Sequence, residues 1–468
     1  MVAALVAICA VARIAVLGEP MRYDEAFTVL NYVGRSVAFI TSHYGVPNNH
    51  VLYSLMAHGV WQVVGDHIWT VRLPALVAGI ALIPIVYLAA ARLYDRRAAL
   101  WAAGIVAGMA PLVYLSANGR GYVPGIALSL VALWLAARLL EVRGARSAFP
   151  LWFAYILCCA LAVYFVPTMA YAVATVTAWA AAAALVRRAA WTASAFVVAT
   201  AVAAGLDVAL YSAVLGARGW DAIPALGSGR TAAGGVGSPG ELVNATWASW
   251  NRGAAHPLDW LVAAGFLASL VLSRRLARHP VPLAVPAALV ALAVYALDRA
   301  APFPRSWAYL LPLYAIHAGA GLSYAAERAL GRWPRSAALS LTLPVALAAA
   351  LAVGTHHAGD RGDLDGPQTD NDIVGLLKRE LRPGQVALLE RFRVEVPSSY
   401  YFRRFDYRPP SLPRRHAPTR ALVIVPRSNG LAQVRAAAAE RGWRVREAPR
   451  PRLVRRLEYI DAWDVLLE

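Results

Sequence analysis

Two adjacent carboxylates, Asp24 and Glu25, are the residues whose types and spacing most directly suggest chemistry. They follow an apolar run over residues 2–17 and stand beside the aromatic residues Tyr23 and Phe27. A neighbouring carboxylate and an apolar setting both raise the proton affinity of a carboxyl group, which suits a general base or a metal ligand. The alternative is a pair placed at a helix N-terminus, where the helix dipole stabilises negative charge.

Three arginines form a second set, each at the start of an apolar segment. Arg72 precedes Leu-Pro, Arg120 lies in the sequence Asn-Gly-Arg-Gly-Tyr, and Arg305 follows a proline. A guanidinium binds phosphate or pyrophosphate in a fixed, bidentate geometry. Together the arginines predict an anion site at a bilayer surface. Snorkelling to the membrane interface is the alternative, and it explains any one arginine more easily than all three.

The histidines His43, His50 and His58 are a weaker set. His50 and His58 are eight residues apart and fall on roughly one helical face. Asp24, Glu25 and His50 would be the ligands if a divalent metal ion is present. The alternative is a lone interfacial histidine, together with a phosphate site that relies on arginine alone and requires no cofactor.

The composition is that of a membrane protein. Hydrophobic residues make up 59% of the chain and charged residues 15%, with a mean hydropathy of +0.50, whereas a soluble domain is usually about 25% charged. The formal net charge is +18 at pH 7. The basic residues cluster between apolar runs, as orientation in a bilayer requires, so no nucleic-acid partner is expected.

The segment from His50 to Gly65 decides the membrane topology. It is short for a membrane span, which needs about 20 apolar residues, and it carries polar side chains. If it does not span, most basic loops fall on one side, as the positive-inside rule favours. We therefore expect an amphipathic helix at the outer interface. Eleven transmembrane helices are then predicted, at about residues 2–18, 72–91, 98–117, 122–140, 150–166, 168–186, 190–214, 257–273, 280–298, 305–325 and 336–354.

This topology predicts two domains. With the N-terminus inside, a transmembrane domain at 1–355 presents long outer loops at 19–71, which carries juxtamembrane helices, and at 215–256. A small extracytoplasmic α/β domain follows at 356–468, because strand and helix patterns alternate there. A lid or a partner-docking module is its expected role. Its predicted elements are a helix at 373–381, strands at 386–389 and 421–425, a helix at 431–441, and strands at 443–446 and 463–467.

In order and spacing, these residues resemble the GT-C membrane glycosyltransferases. The likeness is greatest to the protein O-mannosyltransferase and lipid A aminoarabinose transferase group, known as glycosyltransferase family 39. It covers about residues 1–330. The features that carry it are Asp24-Glu25 with Thr28 after the first helix, His50 opening a Leu-Tyr-Ser-Leu helix, Arg72-Leu-Pro, Arg120-Gly-Tyr122, and Arg305 with the later Pro312.

The resemblance implies a polytopic GT-C-like fold and a transferase that takes a sugar from a polyprenyl-phosphate donor on the extracytoplasmic face. Asp24 would be the general base, and Glu25 would assist by contacting the acceptor or orienting neighbours. Arg72 and Arg120, with Arg305, would bind the donor phosphate. A single displacement would invert the anomeric centre. The residues expected at the acceptor or along its groove are Tyr23, Thr28, His50, Tyr53 and Tyr122.

A transporter or flippase of lipid-linked saccharides is the alternative function. It would show related halves and charges near the middle of the membrane, whereas here the charges concentrate at the outer surface. The expected partners are the lipid bilayer, the polyprenyl-phosphate sugar and a glycan, lipid or protein acceptor. The alanine- and arginine-rich composition suggests a GC-rich genome. We therefore expect cell-envelope glycosylation at a bacterial plasma (inner) membrane.

Overall fold

The chain forms two compact units, each built from several stretches of sequence. The helical unit comprises Met1–Leu17, Ser36–Ala57 and Arg72–Asp360. The α/β unit comprises Gly18–Arg35, His58–Val71 and Arg361–Glu468. The computed structural model describes residues 1–44, 48–142, 145–219, 239–250, 256–298, 304–330, 336–358, 370–410, 419–427, 430–447 and 450–468.

Before residue 359, the described secondary-structure elements are helices. Each predicted transmembrane segment contains one, because long apolar runs satisfy their backbone hydrogen bonds internally. The helices are α1 Val2–Ala15, α2 Tyr23–Thr28, α3 Val37–Ser42, α4 Val51–Val64, α5 Ile68–Leu93, α6 Arg96–Gly108, α7 Ala110–Ser116, α8 Tyr122–Leu139, α9 Ala145–Phe165, α10 Ala170–Val186, α11 Ala190–Leu210, α12 Ser212–Arg218, α13 Pro239–Trp250, α14 His256–Val271, α15 Ser273–Leu276, α16 Ala284–Asp298, α17 Leu310–Leu330 and α18 Ser336–Ala358.

By length and apolar composition, five helical segments within the described residues can cross a membrane. A sixth is the bent pair α6–α7, whose axes differ by 62°. The multi-pass helical architecture is therefore confirmed, while the count of eleven spans stays a prediction. Helix α4 coincides with the amphipathic helix predicted from His50 to Gly65. Its place at a membrane interface also stays a prediction.

The bend between α6 and α7 is held by Arg13, whose side chain is fully buried. Its guanidinium donates to the carbonyl oxygens of Ala107, at 3.0 Å, and Val106, at 3.4 Å. It also donates to the hydroxyl of Ser116, at 3.0 Å. Carbonyl groups at a helix end lack partners within the helix, and a cation there is favoured by the helix dipole. Arg13 thus supplies the hydrogen bonds that the broken span loses.

Small residues allow the helices of this unit to pack closely. On α5, a side chain at Gly79 would collide with Ser116 beside the Arg13 guanidinium. Between α14 and α17, a side chain at Gly321 would collide with the backbone of Gly265. Membrane helices associate mainly through such close backbone contact, because lipid provides no hydrophobic driving force between them.

The C-terminal part of the α/β unit is a four-stranded sheet in the order β1-β2-β4-β3. Strands β1 and β2 are parallel, and the other two pairs are antiparallel. One helix, α21, packs on the sheet through Val434, Ala437 and Ala438. The elements are α19 Ile373–Glu380, β1 Val386–Leu389, a π-helical turn Arg391–Glu395, α20 Val396–Arg404, β2 Arg420–Pro426, α21 Gly430–Ala439, β3 Arg452–Arg456 and β4 Ile460–Leu466.

Most of the predicted C-terminal elements are present. The strand expected at 443–446 is reduced to a single bridge between Val445 and Leu467. The edge strand β3 and helix α20 were not expected, because Arg-Leu-Val-Arg-Arg and Val-Pro-Ser-Ser-Tyr-Tyr lack a clear apolar period. The packing also differs from a linear division at residue 355, since two stretches of the first predicted loop belong to the α/β unit.

Candidate functional site

The predicted acidic residues lie on α2, a six-residue helix in the α/β unit. Glu25 is fully buried, and its carboxylate accepts the backbone N–H of Arg22 at 3.1 Å. Arg22 is also fully buried and donates to the carboxylate of Glu19 at 3.1 Å. An acidic group that caps the first turn in this way fixes where the helix begins. Glu25 therefore orients the helix that carries its neighbour Asp24.

Asp24 is 5% exposed and occupies the first turn of α2. The hydroxyl of Thr28 donates to the Asp24 carbonyl at 2.8 Å, one turn further along the helix. The adjacent Tyr23 has a raised pKa because of burial and the negative charge of Asp24, and Arg391 opposes that rise. A carboxylate, a phenol and a guanidinium thus share one electrostatic neighbourhood.

The basic set centres on His50 and Arg120 in the helical unit, both 1% exposed. The Arg120 Nη2 atom lies 2.9 Å from His50 Nε2, and the backbone N–H of Gly121 donates to His50 Nδ1 at 3.0 Å. Burial, then the charges of Arg120 and Arg305, hold the pKa of His50 well below its usual range. The imidazole of His50 is thus held between the Arg120 guanidinium and the backbone of the same turn.

The remaining predicted residues of this set have identifiable positions. Arg72 on α5 is fully buried and donates to the carbonyl of Leu17 at 2.8 Å. Arg305 is half-buried in the turn Pro304–Trp307, and its charge acts on His50. The Tyr122 ring packs edge-on against His50, with centroids 5.0 Å apart. Tyr53 is fully buried on α4.

Two asparagines beside this set were not among the predicted site residues. Asn49 is fully buried and donates to the carbonyls of Ile40 and His43, both at 2.8 Å, which fixes the turn before His50. Asn118 is fully buried in the turn that carries Arg120, and neither polar atom of its amide has a hydrogen-bond partner in the described structure. Each is close in sequence to a chosen residue, which is the signal that sequence reasoning could have used.

No group of three or more His, Cys, Asp or Glu residues that could hold a metal ion occurs among the described residues. His43 stacks on Phe39, with ring centroids 3.8 Å apart. His58 bonds through Nδ1 to the carbonyl of Val33 at 2.7 Å. These two predicted histidines are therefore engaged in local structure.

Comparison with known proteins finds similarity to membrane glycosyltransferases. Residues 48–211 match the family described as dolichyl-phosphate-mannose-protein mannosyltransferase. ArnT from Cupriavidus metallidurans bound to undecaprenyl phosphate shares 13% identity at a TM-score of 0.56, over 98% of this chain and 97% of that one. The apo form of the Archaeoglobus fulgidus oligosaccharyltransferase shares 13% identity at a TM-score of 0.50, over 82% of this chain and 58% of that one. Among curated proteins, none matches significantly.

The chain has the fold of these membrane glycosyltransferases, which is the GT-C fold. This confirms the resemblance inferred from the sequence. More narrowly, the chain is similar to glycosyltransferase family 39 over residues 48–211, the stretch that carries His50, Arg72 and Arg120.

Proposed function

We propose that this protein is a glycosyltransferase that moves a sugar from a polyprenyl-phosphate donor to an acceptor hydroxyl. The observation that carries the proposal is the buried pair His50 and Arg120, whose Nε2 and Nη2 atoms lie 2.9 Å apart and on which the charge of Arg305 also acts. Guanidinium groups held in buried structure beside a neutral imidazole favour binding of an anionic oxygen. The undecaprenyl phosphate bound to the similar ArnT is a ligand of this chemistry.

In the proposed reaction, Asp24 takes the proton from the acceptor hydroxyl. The acceptor oxygen bonds to the anomeric carbon as the bond from that carbon to the phosphate oxygen breaks. The electron pair of the broken bond leaves with the polyprenyl phosphate, which gains negative charge in the transition state. Fixed cations stabilise that charge, and we assign this role to Arg72, Arg120 and Arg305. A single displacement inverts the anomeric centre.

The remaining assignments follow from the same scheme. The residues assigned to binding the acceptor or lining its groove are Tyr23, Thr28, His50, Tyr53 and Tyr122. The reaction takes place on the extracytoplasmic side of a bacterial plasma membrane, and the acceptor is a glycan, lipid or protein. No cofactor is assigned, and an EDTA-treated sample with and without added Mg²⁺ or Mn²⁺ tests for a divalent metal.

The test is an assay of purified protein in detergent. Release of polyprenyl phosphate is measured from a panel of polyprenyl-phosphate sugars, with total membrane extract as the acceptor. Wild type is compared with Asp24→Asn and Arg120→Ala. The matched control is Arg97→Ala, an exposed arginine that pairs with Glu327. We expect turnover by wild type and the control, and little turnover by the two site variants.

Equal turnover by wild type and Asp24→Asn would show that Asp24 is not the base. Turnover by no sugar donor would favour the transporter alternative. The structural observation that favours a transporter is the bent pair α6–α7, because transporters place broken helices around their substrates. Uptake of a labelled lipid-linked saccharide into liposomes would then distinguish the two functions.

A further inference from the structure

The C-terminal segment contacts the acidic helix through α20. Two consecutive tyrosines on that helix, Tyr400 and Tyr401, are each 1% exposed. The Tyr401 hydroxyl accepts the backbone N–H of Met21 at 2.8 Å and donates to Asn371 Oδ1 at 2.5 Å. Met21 is fully buried and lies three residues before Asp24. One phenol thus links the start of the acidic segment to residues near the end of the chain.

Helix α20 also holds two other points of the first predicted loop. The Tyr400 hydroxyl donates to the Asp66 carboxylate at 3.1 Å, and Arg404 donates to the Asp66 carbonyl. At Gly34, a side chain would come within 3.3 Å of the Arg403 guanidinium. Helix α20 therefore contacts the first predicted loop at three separate points, Met21, Gly34 and Asp66.

A helix as short as α2 depends on such support. Isolated helices shorter than about 12 residues are marginal in water, and α2 has six residues. Its N-terminal cap at Arg22 follows directly after Met21, whose N–H is bonded to Tyr401. The capping geometry that orients Asp24 is therefore tied to the C-terminal segment.

The C-terminal segment also places a charge close to the acidic helix. Arg391, in the π-helical turn before α20, is exposed and acts electrostatically on Tyr23, the residue before Asp24. A cation from this segment thus shares the surroundings of the acidic pair, which a module serving only to dock a partner would not require.

We propose that Tyr401 is a positioning residue for Asp24, and that the C-terminal segment from Asp370 onward holds the acidic helix in its reactive geometry. This inference rests on the proposed function, in which Asp24 is the base. It assigns the segment a constitutive role that is distinct from the lid or docking module expected from the sequence.

The test compares Tyr401→Phe with the matched control Tyr407→Phe, whose ring packs against Phe402. Both variants remove one hydroxyl and keep the ring. We expect kcat of Tyr401→Phe to fall about tenfold to a hundredfold, as for a displaced catalytic group. KM for the donor and affinity for polyprenyl phosphate should stay within about twofold of wild type, because the basic set is unchanged.

Asn371→Ala provides a second, independent variant. It removes the acceptor of the Tyr401 hydroxyl, so the losses from Asn371→Ala and Tyr401→Phe should not add in the double variant. Equal kcat for Tyr401→Phe and Tyr407→Phe, with Asp24→Asn inactive, would overturn this inference alone. An active Asp24→Asn would instead overturn the proposed function. A loss in Tyr401→Phe that appears equally in donor affinity would indicate general unfolding and contradict a positioning role.

Discussion

The two candidate residue sets are held by different means. His50 and Arg120 lie among long helices, where Gly121 and Asn49 fix the histidine through nearby backbone. Asp24 lies on a six-residue helix whose start is bonded to a residue 380 positions away. The contrast teaches that the proposed anion site is pre-organised by the helical unit, whereas the acidic helix depends on a few long-range hydrogen bonds. Binding and chemistry should therefore be separable by mutation.

The partners of buried arginines also differ between the helical unit and the α/β unit. Buried arginines of the helical unit donate to backbone carbonyls, as Arg13 does to Ala107 and Arg72 does to Leu17. Partly exposed side chains of that unit form ion pairs, such as Arg92 with Glu141. In the α/β unit, by contrast, the buried Arg22 has a carboxylate partner in Glu19.

The largest expected effect separates the two sets directly. Asp24→Asn should lower kcat by about a hundredfold to ten-thousandfold, the usual contribution of a general base, and leave the affinity for polyprenyl phosphate unchanged. Arg120→Ala should weaken that affinity, while Arg120→Lys restores part of it because charge remains without the bidentate geometry. Binding of a labelled polyprenyl phosphate measures the affinity of each variant, and the turnover assay measures kcat. If Asp24→Asn also weakened the affinity for polyprenyl phosphate, the separation between an acidic set for chemistry and a basic set for binding would be wrong.

The next effect concerns the bend held by Arg13. Arg13→Met should lower the unfolding temperature, because it leaves the carbonyls of Val106 and Ala107 without their donor at a cost of about 1–3 kcal/mol each. Arg97→Met, which breaks only an exposed ion pair, should change it far less. Thermal unfolding in detergent measures both variants. Equal unfolding temperatures would show that the bend does not need the guanidinium.

A smaller effect should appear in the pH dependence of stability. The pKa of His50 is lowered in the folded state, so below about pH 6.5 the unfolded chain binds more protons at this residue than the folded one. Stability from His50 staying neutral is therefore present above pH 6.5 and is lost as the pH falls. We expect His50→Gln to flatten the decrease in unfolding temperature between pH 7 and pH 5. An unchanged pH profile would contradict this.

The smallest effect should arise at Asn118. Because neither polar atom of its buried amide has a partner, Asn118→Leu should leave the unfolding temperature unchanged or raise it slightly. If the amide serves the anion site beside Arg120, affinity for polyprenyl phosphate should fall severalfold. Calorimetry and the binding assay on the same sample measure the two quantities. A lower unfolding temperature with unchanged affinity would assign Asn118 to packing.

The sequence predicted the helical architecture well, because this architecture depends on local patterns. Apolar runs mark the helices, and the motif around Arg120 marks the turn that meets His50. The role of Tyr401 was not predictable, since its hydrogen bond to Met21 joins positions with no shared pattern. The bend at Gly108 was not predicted, although Pro111 at the start of α7 is a signal of it in the sequence.

The bond between Met21 and Tyr401 has a consequence for biosynthesis. These residues are 380 positions apart, and at typical rates of synthesis about 20 to 80 s separate their emergence from the ribosome. Until Tyr401 arrives, the start of α2 lacks its long-range partner while the membrane helices are already being inserted. Nascent chains would thus acquire an ordered acidic helix last, and a product truncated before α20 would remain inert in the membrane.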